Sequence, residues 1–217
     1  MTVVDPLGDA YRSSRPQRLV LLARPGAGKS TLAVELSAHL GVTHLSTGAL
    51  LREVADSPSS LGEEVSDVLA HGDLVRDDLV TSLVVPRIET IAAQGGYILD
   101  GYPRNARQLD SLERLVSRDA QPELAVYLDV NEEVCRQRLV RRAEIEHRSD
   151  DSPATIDHRL AAFEAEVAPL VALYESHGRL VSVGGDALPE VVLARTMNLL
   201  GRSTHRSPIS RDQMPSS

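Results

Sequence analysis

The sequence predicts an α/β fold of three layers, with a parallel sheet of about five strands between two layers of helices. Two observations carry this prediction. Short runs of consecutive apolar residues alternate along the chain with longer segments of helical periodicity. The runs are apolar throughout rather than at every second residue, which is typical of strands buried on both faces. The order strand, helix, strand indicates βαβ units, whose strands lie parallel in one sheet.

The predicted strands are the apolar runs. They lie at Arg18–Ala23, Val42–Leu45, Gly96–Asp100, Leu124–Asp129 and Arg179–Val183. The helical patterns lie at Lys29–Leu40, Gly48–Asp56, Leu61–His71, Asp77–Ala93, Asn105–Ser117, Asn131–Ala143, Ala154–Ser176 and Leu188–Leu200. Every predicted strand is thus followed by a helix, as a sheet covered on both faces requires.

Two of these helices break the regular alternation. Gly48–Asp56 and Leu61–His71 are short and stand between a strand and the longer helix at Asp77–Ala93. A helical pair at the carboxyl end of a strand is where an α/β enzyme can keep an element that grips its substrate. We therefore expect these helices to form a mobile, substrate-binding insertion.

The two ends of the chain lack apolar periodicity. Residues 1–17 contain Pro, Gly and Ser, and residues 203–217 are rich in Ser, Pro and Arg. Such segments bury too little apolar surface to offset their ordering entropy. We predict a disordered arm, one folded domain at residues 18–202, and a disordered tail.

Composition excludes several classes of function. The net charge of −8 at pH 7 argues against a general nucleic-acid binder or a binder of anionic membranes. The absence of Trp and the single Phe leave little to stack on single-stranded nucleic acid. The single cysteine, Cys135, excludes an internal disulfide and a Cys-rich zinc site. No apolar run approaches the ~20 residues of a membrane span, and the first residues do not resemble a signal peptide, so we expect a cytoplasmic protein.

A Gly-rich loop follows the first predicted strand. Residues 23–31 read ARPGAGKST, and their position between a strand and a helix matches the P-loop pattern G-x-x-x-x-G-K-[ST]. The match departs at Ala23, which stands where the pattern has its first Gly. An Ala fits there if the strand continues to this residue with a negative φ. The alternative is an ordinary βα turn with a surface lysine.

The residue types of this loop suit a polyphosphate. Gly26 and Gly28 allow successive backbone N–H groups to turn towards phosphate oxygens, and the start of the following helix adds its positive end. Lys29 places a charge on the β- and γ-phosphates, and the Ser30 hydroxyl can face Mg²⁺. The sequence therefore predicts a P-loop three-layer fold that binds ATP with Mg²⁺.

A carboxylate is predicted beside this loop. Asp100 ends a buried strand, and in an open parallel sheet that position opens onto the ligand crevice. It can hold Mg²⁺, through the water ligands of the ion. The alternative is an Asp that caps the turn before Gly101.

Several arginines lack an accompanying general base. An acceptor that is itself a phosphate exposes an ionised oxygen above a pKa near ~6, so its attack requires no base. Catalysis then depends on alignment and on neutralising crowded negative charge, for which guanidinium groups are suited. The candidates are Arg52, Arg104, Arg138, Arg142, Arg148 and Arg159. The alternative for each is a solvated surface position.

In these motifs the chain resembles the adenylate kinases, within the nucleoside monophosphate kinase family. The resemblance runs from about Arg18 to Gly201. Besides the P-loop, it rests on His44–Gly48 with Leu51 and Arg52, Gly72–Val75, Asp100–Arg104 with Gln108, Arg138 with Arg142, Arg148–Asp151, and Arg159 with Pro169 and Tyr174. It implies reversible transfer of the terminal phosphoryl group of ATP to AMP, giving two ADP.

The resemblance also implies roles for single residues. The AMP site would comprise Thr47, Arg52, Asp73, Leu74, Val75, Gly101, Tyr102, Pro103, Arg104, Gln108, Arg148 and Arg159. The ATP site would comprise Gly26, Ala27, Gly28, Lys29, Ser30, Thr31, Arg138, Arg142 and Asp186. The catalytic groups would be Lys29, Arg104, Arg138, Arg148, Arg159, Asp150 and Asp151, the last two as acids that hold the arginines on closure.

Family features further imply the moving parts and the partners. The AMP-binding insertion would span residues 46–75 and a short lid residues 142–148, since only five residues separate Arg142 from Arg148. The long lid, which can carry a zinc site, is missing, so Mg²⁺ but no zinc is implied. The partners would be ATP, AMP and ADP, with no nucleic acid or membrane, and the protein would act as a monomer.

Two other functions stay open at this point. Arg104 followed by Asn105 is similar to the pyrimidine-directed relatives, but those tend to have Ala at the position of Thr47 and Asn at that of Gln108. An amide at Gln108 can pair with an adenine edge, which favours AMP over UMP and CMP. A catalytically weak adenylate-binding protein is the third hypothesis, and the departure at Ala23 is its only support.

Overall fold

The computed structural model describes residues 17–146 and 152–203. Its sheet has five parallel strands in the order β2-β3-β1-β4-β5. The strands are β1 (Gln17–Ala23), β2 (Thr43–Ser46), β3 (Gly96–Asp100), β4 (Leu124–Asp129) and β5 (Leu180–Gly184). The predicted fold class is confirmed, and every apolar run named above forms a strand to within one or two residues.

Helices cover both faces of this sheet. Their bounds are α1 Lys29–Leu40, α2 Thr47–Ala55, α3 Ser60–His71, α4 Asp77–Ala93, α5 Ala106–Leu115, α6 Glu132–Glu146, α7 Pro153–Ala162, α8 Ala168–Ser176 and α9 Pro189–Ser203. Polar side chains fix several of the starts: Ser46, Ser59 and Asn105 each accept a hydrogen bond from a first-turn N–H group.

The predicted helix at Ala154–Ser176 forms, but it is not α-helical throughout. The segment divides into α7 and α8, which are joined by a π-helical segment at Phe163–Val167. Every residue of this segment tolerates a helix, so local sequence gives no sign of the widened turn. Side chains of this segment contact distant parts of the chain, as described below.

The core consists of two apolar clusters, one on each face of the sheet. Successive side chains of a strand point to opposite faces, so Leu19 and Leu21 of β1 pack with α1, α6 and α9. Val20 and Leu22 pack on the other face with residues of α4, α5 and α8. Cys135 lies buried in the first cluster, on α6, as a small apolar residue.

The strand order places a crevice at the end of the sheet where the carboxyl ends of the strands lie. From β1 the chain passes by way of α1 to β2, then returns to β3 beside β1, and later crosses to β4 on the other side. Connections that leave a strand in opposite directions open a crevice at the carboxyl ends of the strands. The loop after β1 and the end of β3 therefore meet there.

Within residues 17–146 and 152–203, no helix combines the length and the apolar character needed to cross a lipid bilayer.

Candidate active site

The Gly-rich loop leaves β1 at a residue whose backbone is ordinary. Ala23 is the last residue of the strand and pairs with Leu128 of β4. Since any residue adopts strand geometry, the departure from the P-loop pattern introduces no backbone strain here. Gly26, in contrast, has φ 82°, and a Cβ there would lie 2.5 Å from the carbonyl oxygen of Cys135. The close approach of α6 thus requires Gly at this position.

Three polar side chains meet where the loop enters α1. The Lys29 ammonium forms an ion pair with one carboxylate oxygen of Asp100, and the Ser30 hydroxyl donates to the other at 2.8 Å. Asp100 is buried at the end of β3, with 3% of its surface exposed. The strand pairing that sets Leu21 opposite Asp100 brings the two sequence motifs together.

Several basic groups around Asp100 have lowered pKa values. Burial, aided by the positive charges of Arg104 and Arg159, lowers the pKa of Lys29 to about 7. Burial also lowers the pKa of Arg104, with Arg159 adding to the shift. Burial, then the charge of Lys29, lowers the pKa of His44, whose ring lies 3.4 Å from Asp100. A site that crowds and buries like charges in this way is prepared for a polyanionic ligand.

A cleft of about 270 Å³ lies beside Asp100. It gathers side chains that are far apart in the sequence, with cations in the majority among the charged ones. The charged residues of its lining are Lys29, Arg52, Asp73, Asp100, Arg104, Arg142 and Arg159. In a chain of net charge −8, this places a local positive surface against an acidic background. Ser30, Leu74, Gly101 and Pro103 of the predicted set also line this cleft.

Arg138 occupies a different position from Arg142. Its guanidinium donates to the carbonyl oxygen of Ala27 at 3.1 Å and to that of Gly185 at 3.5 Å. It therefore joins the outer side of the Gly-rich loop to the turn after β5, where Asp186 lies exposed. The structure thus places Arg138 and Asp186 together beside the loop.

A narrower cleft opens off the first. Its lining combines apolar side chains with three polar ones and comprises Thr47, Leu51, Leu74, Val75, Val80, Gly101, Arg104 and Gln108. Thr47 is buried at the start of α2, and Gln108 is buried in the first turn of α5. Since Gly101 and Arg104 line both clefts, the two spaces are contiguous.

The buried Tyr102 braces this second cleft. Its hydroxyl donates to the carbonyl oxygen of Gln108 at 3.2 Å and lies 3.3 Å from the Thr81 hydroxyl of α4. Tyr102 therefore supports α5 through this hydrogen bond, and its buried ring is not exposed to a ligand.

Three predicted residues fall outside the part of the chain that the structure describes. They are Arg148, Asp150 and Asp151, which belong to the predicted lid. Their placement in the site stays a prediction.

Sequence reasoning missed a contact network around the Gly-rich loop. The Arg24 guanidinium binds the Glu164 carboxylate at 2.7 Å and donates to the Tyr127 hydroxyl at 3.0 Å. It also lies 5.1 Å from the centre of the Phe163 ring, within range of a cation–π contact. Glu164 and Phe163 belong to the π-helical segment, so Arg24 connects the loop to the element that follows Arg159 and α7.

Two acidic residues, Asp73 and Asp77, also have partners that the sequence did not indicate. Asp77 accepts hydrogen bonds from the side chains of Gln108 and Asn105. Asp73 lies 2.7 Å from the ring of His158, on α7 across the cleft. The relevant partners are 28 to 85 residues apart in sequence, and no local pattern signals such pairs.

The oxygen ligands at the loop are suited to Mg²⁺. A carboxylate, Asp100, and a hydroxyl, Ser30, lie within hydrogen-bonding distance of each other at the mouth of the Gly-rich loop. Mg²⁺ prefers oxygen ligands and usually keeps several waters beside one or two carboxylates. The donor set thus fits Mg²⁺.

Comparison with known proteins agrees with this geometry. The sequence profile of the adenylate kinase family matches residues 21–179. The adenylate kinase of Xanthomonas euvesicatoria pv. vesicatoria (strain 85-10) is 40% identical over 186 residues, which cover 85% of this chain and 100% of the relative. That of Xanthomonas oryzae pv. oryzae (strain MAFF 311018) gives the same figures. That of Stenotrophomonas maltophilia (strain R551-3) is 38% identical over 181 residues, or 83% of this chain and 97% of the relative.

A parallel sheet in the order 2-3-1-4-5, with a Gly-rich loop and lysine after its central strand, defines a P-loop phosphotransferase. The similarity covers nearly the whole described fold. The chain belongs to the adenylate kinase family.

Proposed function

We propose that the protein transfers the terminal phosphoryl group of Mg-ATP to AMP and catalyses the reverse reaction, forming two ADP. One observation carries the proposal: a single cleft contains Lys29 of the Gly-rich loop together with Arg104 and Arg159. These cations come from three separate parts of the chain. Their convergence suits two phosphate-bearing ligands placed end to end.

The ATP phosphates are assigned to the Gly-rich loop. Residues Gly26, Ala27, Gly28, Lys29, Ser30 and Thr31 would surround them with backbone N–H groups, one ammonium and two hydroxyls. Arg142 approaches from the cleft wall, and Arg138 together with Asp186 lies beside the loop on the side assigned to the ATP adenine.

AMP is assigned to the narrower cleft and its junction with the larger one. Arg52, Arg104 and Arg159 would hold its phosphate, since all three line the larger cleft. Thr47, Val75 and Gln108 would contact the base. Asp73, Leu74, Gly101 and Pro103 complete the wall, and the buried Tyr102 supports it from behind.

Asp100 and Ser30 would hold Mg²⁺, with water between ion and carboxylate. When bound, the ion neutralises charge on the β- and γ-phosphates. The ion pair between Lys29 and Asp100 supports the assignment, because it holds the ammonium group beside the carboxylate assigned to the ion.

The chemistry then needs no base from the protein. An ionised oxygen of the AMP phosphate attacks the γ-phosphorus of ATP, and the bond to the oxygen bridging the β- and γ-phosphates breaks. No proton is transferred. Lys29, Arg104, Arg138, Arg148 and Arg159 are assigned to neutralise the charge, and Asp150 and Asp151 to hold the arginines.

Exclusion of water requires movement. The narrower cleft has room for roughly one water molecule, so a purine enters only if its walls separate first. We assign that movement to the insertion at residues 46–75 and closure to a short lid at residues 142–148. The predicted arm and tail lie outside the described residues, except that Gln17 belongs to β1 and Ser203 to α9. Closure protects the phosphoryl group from water. The protein is taken to act as a monomer in the cytoplasm.

A coupled assay of ADP formation from MgATP tests the proposal, with AMP, UMP and CMP as acceptors. We expect AMP to be used far better than the pyrimidine nucleotides. Activity should vanish in Lys29→Met and Arg104→Ala. The matched control is Arg114→Ala, because Arg114 pairs with Asp110 on the exposed face of α5.

Two results would replace the proposal. A preference for UMP or CMP would make the protein a pyrimidine-directed kinase on the same fold. Tight adenylate binding without any turnover would make it a sensor rather than an enzyme.

A further inference from the structure

We infer that Asp77 determines which purine the acceptor site takes, by fixing the orientation of the Gln108 side-chain amide. The inference rests on the proposed function, in which the narrower cleft holds the acceptor base. It makes Asp77 a positioning residue that selects 6-aminopurine over 6-oxopurine nucleotides without touching the base.

Two partners with opposite hydrogen-bonding character hold the amide. Gln108 Nε2 donates to Asp77 Oδ1 at 2.7 Å, and Gln108 Oε1 accepts from the backbone N–H of Arg104 at 2.8 Å. A carboxylate can only accept a hydrogen bond, and a backbone N–H can only donate one. An amide turned by 180° would face an acceptor with its oxygen and a donor with its NH₂ group. Both partners therefore enforce the same orientation.

Burial makes the constraint strong. Gln108 is 2% exposed, so a reversed amide could not recover the lost hydrogen bonds from water. Asn105 extends the network: its Nδ2 donates to Asp77, and its Oδ1 accepts from the backbone N–H of Gln108. Asp77 thus holds two neighbouring amides at the start of α5.

The orientation leaves a defined pattern for a ligand. An amide has two N–H donors and two acceptor lone pairs. Asp77 and Arg104 each use one, so one N–H and one lone pair remain, and Gln108 lines the narrower cleft. The remaining oxygen lone pair can accept from an exocyclic amino group, while the remaining N–H donates to an adjacent ring nitrogen.

Adenine has this complement on both of its hydrogen-bonding edges, since its 6-amino group lies beside N1 and N7, both acceptors. Hypoxanthine has an oxygen at position 6. With the amide fixed, that oxygen would face the Gln108 oxygen, which leaves two acceptors opposed and unpaired. If the amide could turn, the N1–H and O6 edge of hypoxanthine would pair with it. Freedom of the amide would therefore relax the selectivity.

The test compares AMP with IMP as acceptors for MgATP in Asp77→Asn. An asparagine can donate as well as accept, so it no longer opposes a reversed Gln108 amide, and only the Arg104 N–H group still favours the original orientation. We expect the ratio of kcat/KM for AMP to that for IMP to fall about tenfold or more. Asp77→Glu retains an acceptor-only group and should restore most of the ratio. Asp77→Ala should lower it and serves if the asparagine variant does not fold.

Asp78→Asn is the matched control. Asp78 lies in the same first turn of α4 and carries the same charge, but its side chain is 75% exposed and only approaches Arg76. In Asp78→Asn, the ratio of kcat/KM for AMP to that for IMP should equal the ratio in the unmodified protein. A purely structural role of Asp77 would lower activity with AMP and IMP by the same factor, and an unchanged ratio would overturn the inference. Failure of the unmodified protein to use AMP at all would instead overturn the proposed function.

Discussion

The two ends of the proposed site, a phosphate end and a base end, offer a ligand different chemistry. At the phosphate end, backbone N–H groups and several cations surround a cleft, and Coulomb attraction tolerates small displacements of either charge. At the base end, apolar walls enclose one amide whose direction is fixed by two hydrogen bonds. The contrast indicates that substitutions at the phosphate end should lower the rate. Substitutions at the base end should change the choice of substrate.

The two ends also differ in how firmly the protein holds them. The Gly-rich loop continues a central strand, and its Ala27 is buried, whereas α3 of the insertion buries only Gly62 and Val65. The phosphate end is therefore more firmly held than the base end, which agrees with the proposed movement of the insertion.

The largest effect should come from the cations of the phosphate end. Arg159→Ala should lower kcat on the order of 10²-fold or more, because a guanidinium that acts on charge in the transition state is lost. Steady-state assay with saturating AMP and MgATP measures it. Arg136→Ala is the control, since Arg136 pairs with Asp157 and Glu132 on the outer face of α6. A kcat within a few-fold of normal would remove Arg159 from the proposed mechanism.

The rigidity of the loop can be tested with its glycines. Gly26→Ala should lower the free energy of unfolding by about 2–4 kcal/mol, since the new Cβ would meet the backbone of α6 in addition to straining φ. Gly28→Ala should cost only about 1–2 kcal/mol, because a Cβ there meets no atom within 4 Å and strain alone remains. Urea unfolding of both variants checks this. Equal losses would show that contact with α6 does not constrain the loop.

A pH dependence should distinguish the phosphate end from the base end. The pKa of Lys29 in the free protein is lowered to about 7, and bound phosphates would raise it, so binding at pH 8 should take up a proton. ATP affinity should accordingly fall as pH rises above about 7, by up to tenfold per pH unit. Calorimetry in buffers of different ionisation enthalpy measures the uptake. The Lys29→Arg variant stays charged, so it should take up no proton on binding. Proton uptake by that variant would contradict the assignment.

The smallest effect is expected where the insertion meets α7. His158→Ala removes the contact with Asp73, and both side chains are about half exposed. Pairs of this kind contribute up to about 1 kcal/mol, so the KM for AMP should rise at most about fivefold with little change in kcat. His177→Ala, exposed beyond α8, is the control. A large fall in kcat would mean that this contact belongs to the phosphate end.

Sequence alone predicted the elements of the fold because their signals are local. Buried strands and the Gly-rich loop each occupy a few consecutive residues, and α1 and α4 begin and end at the predicted residues. The π-helical segment at Phe163–Val167 was not predictable in this way. Its side chains meet Arg24 and Tyr127 from distant parts of the chain, and such tertiary contacts override local helix preference.

The residues of the candidate site also differ in whether a local motif predicts them. Motif residues such as Lys29, Asp100 and Arg104 were predictable because their roles follow from chemistry and position in a strand–loop–helix unit. Asp77 was not, since its importance arises from Gln108, 31 residues later. The assignments of Arg148, Asp150 and Asp151 stay predictions.

The contact between Arg24 and Glu164 has a consequence for synthesis of the protein. It joins residues 140 positions apart, and every residue of the Gly-rich loop is made long before Glu164. A nascent chain on the ribosome therefore carries the loop sequence without the partner that ties it to the rest of the molecule. Closing so long a stretch of chain has an entropic cost that only later contacts offset. The Gly-rich loop comes early in the sequence, yet its contacts are among the last to be completed.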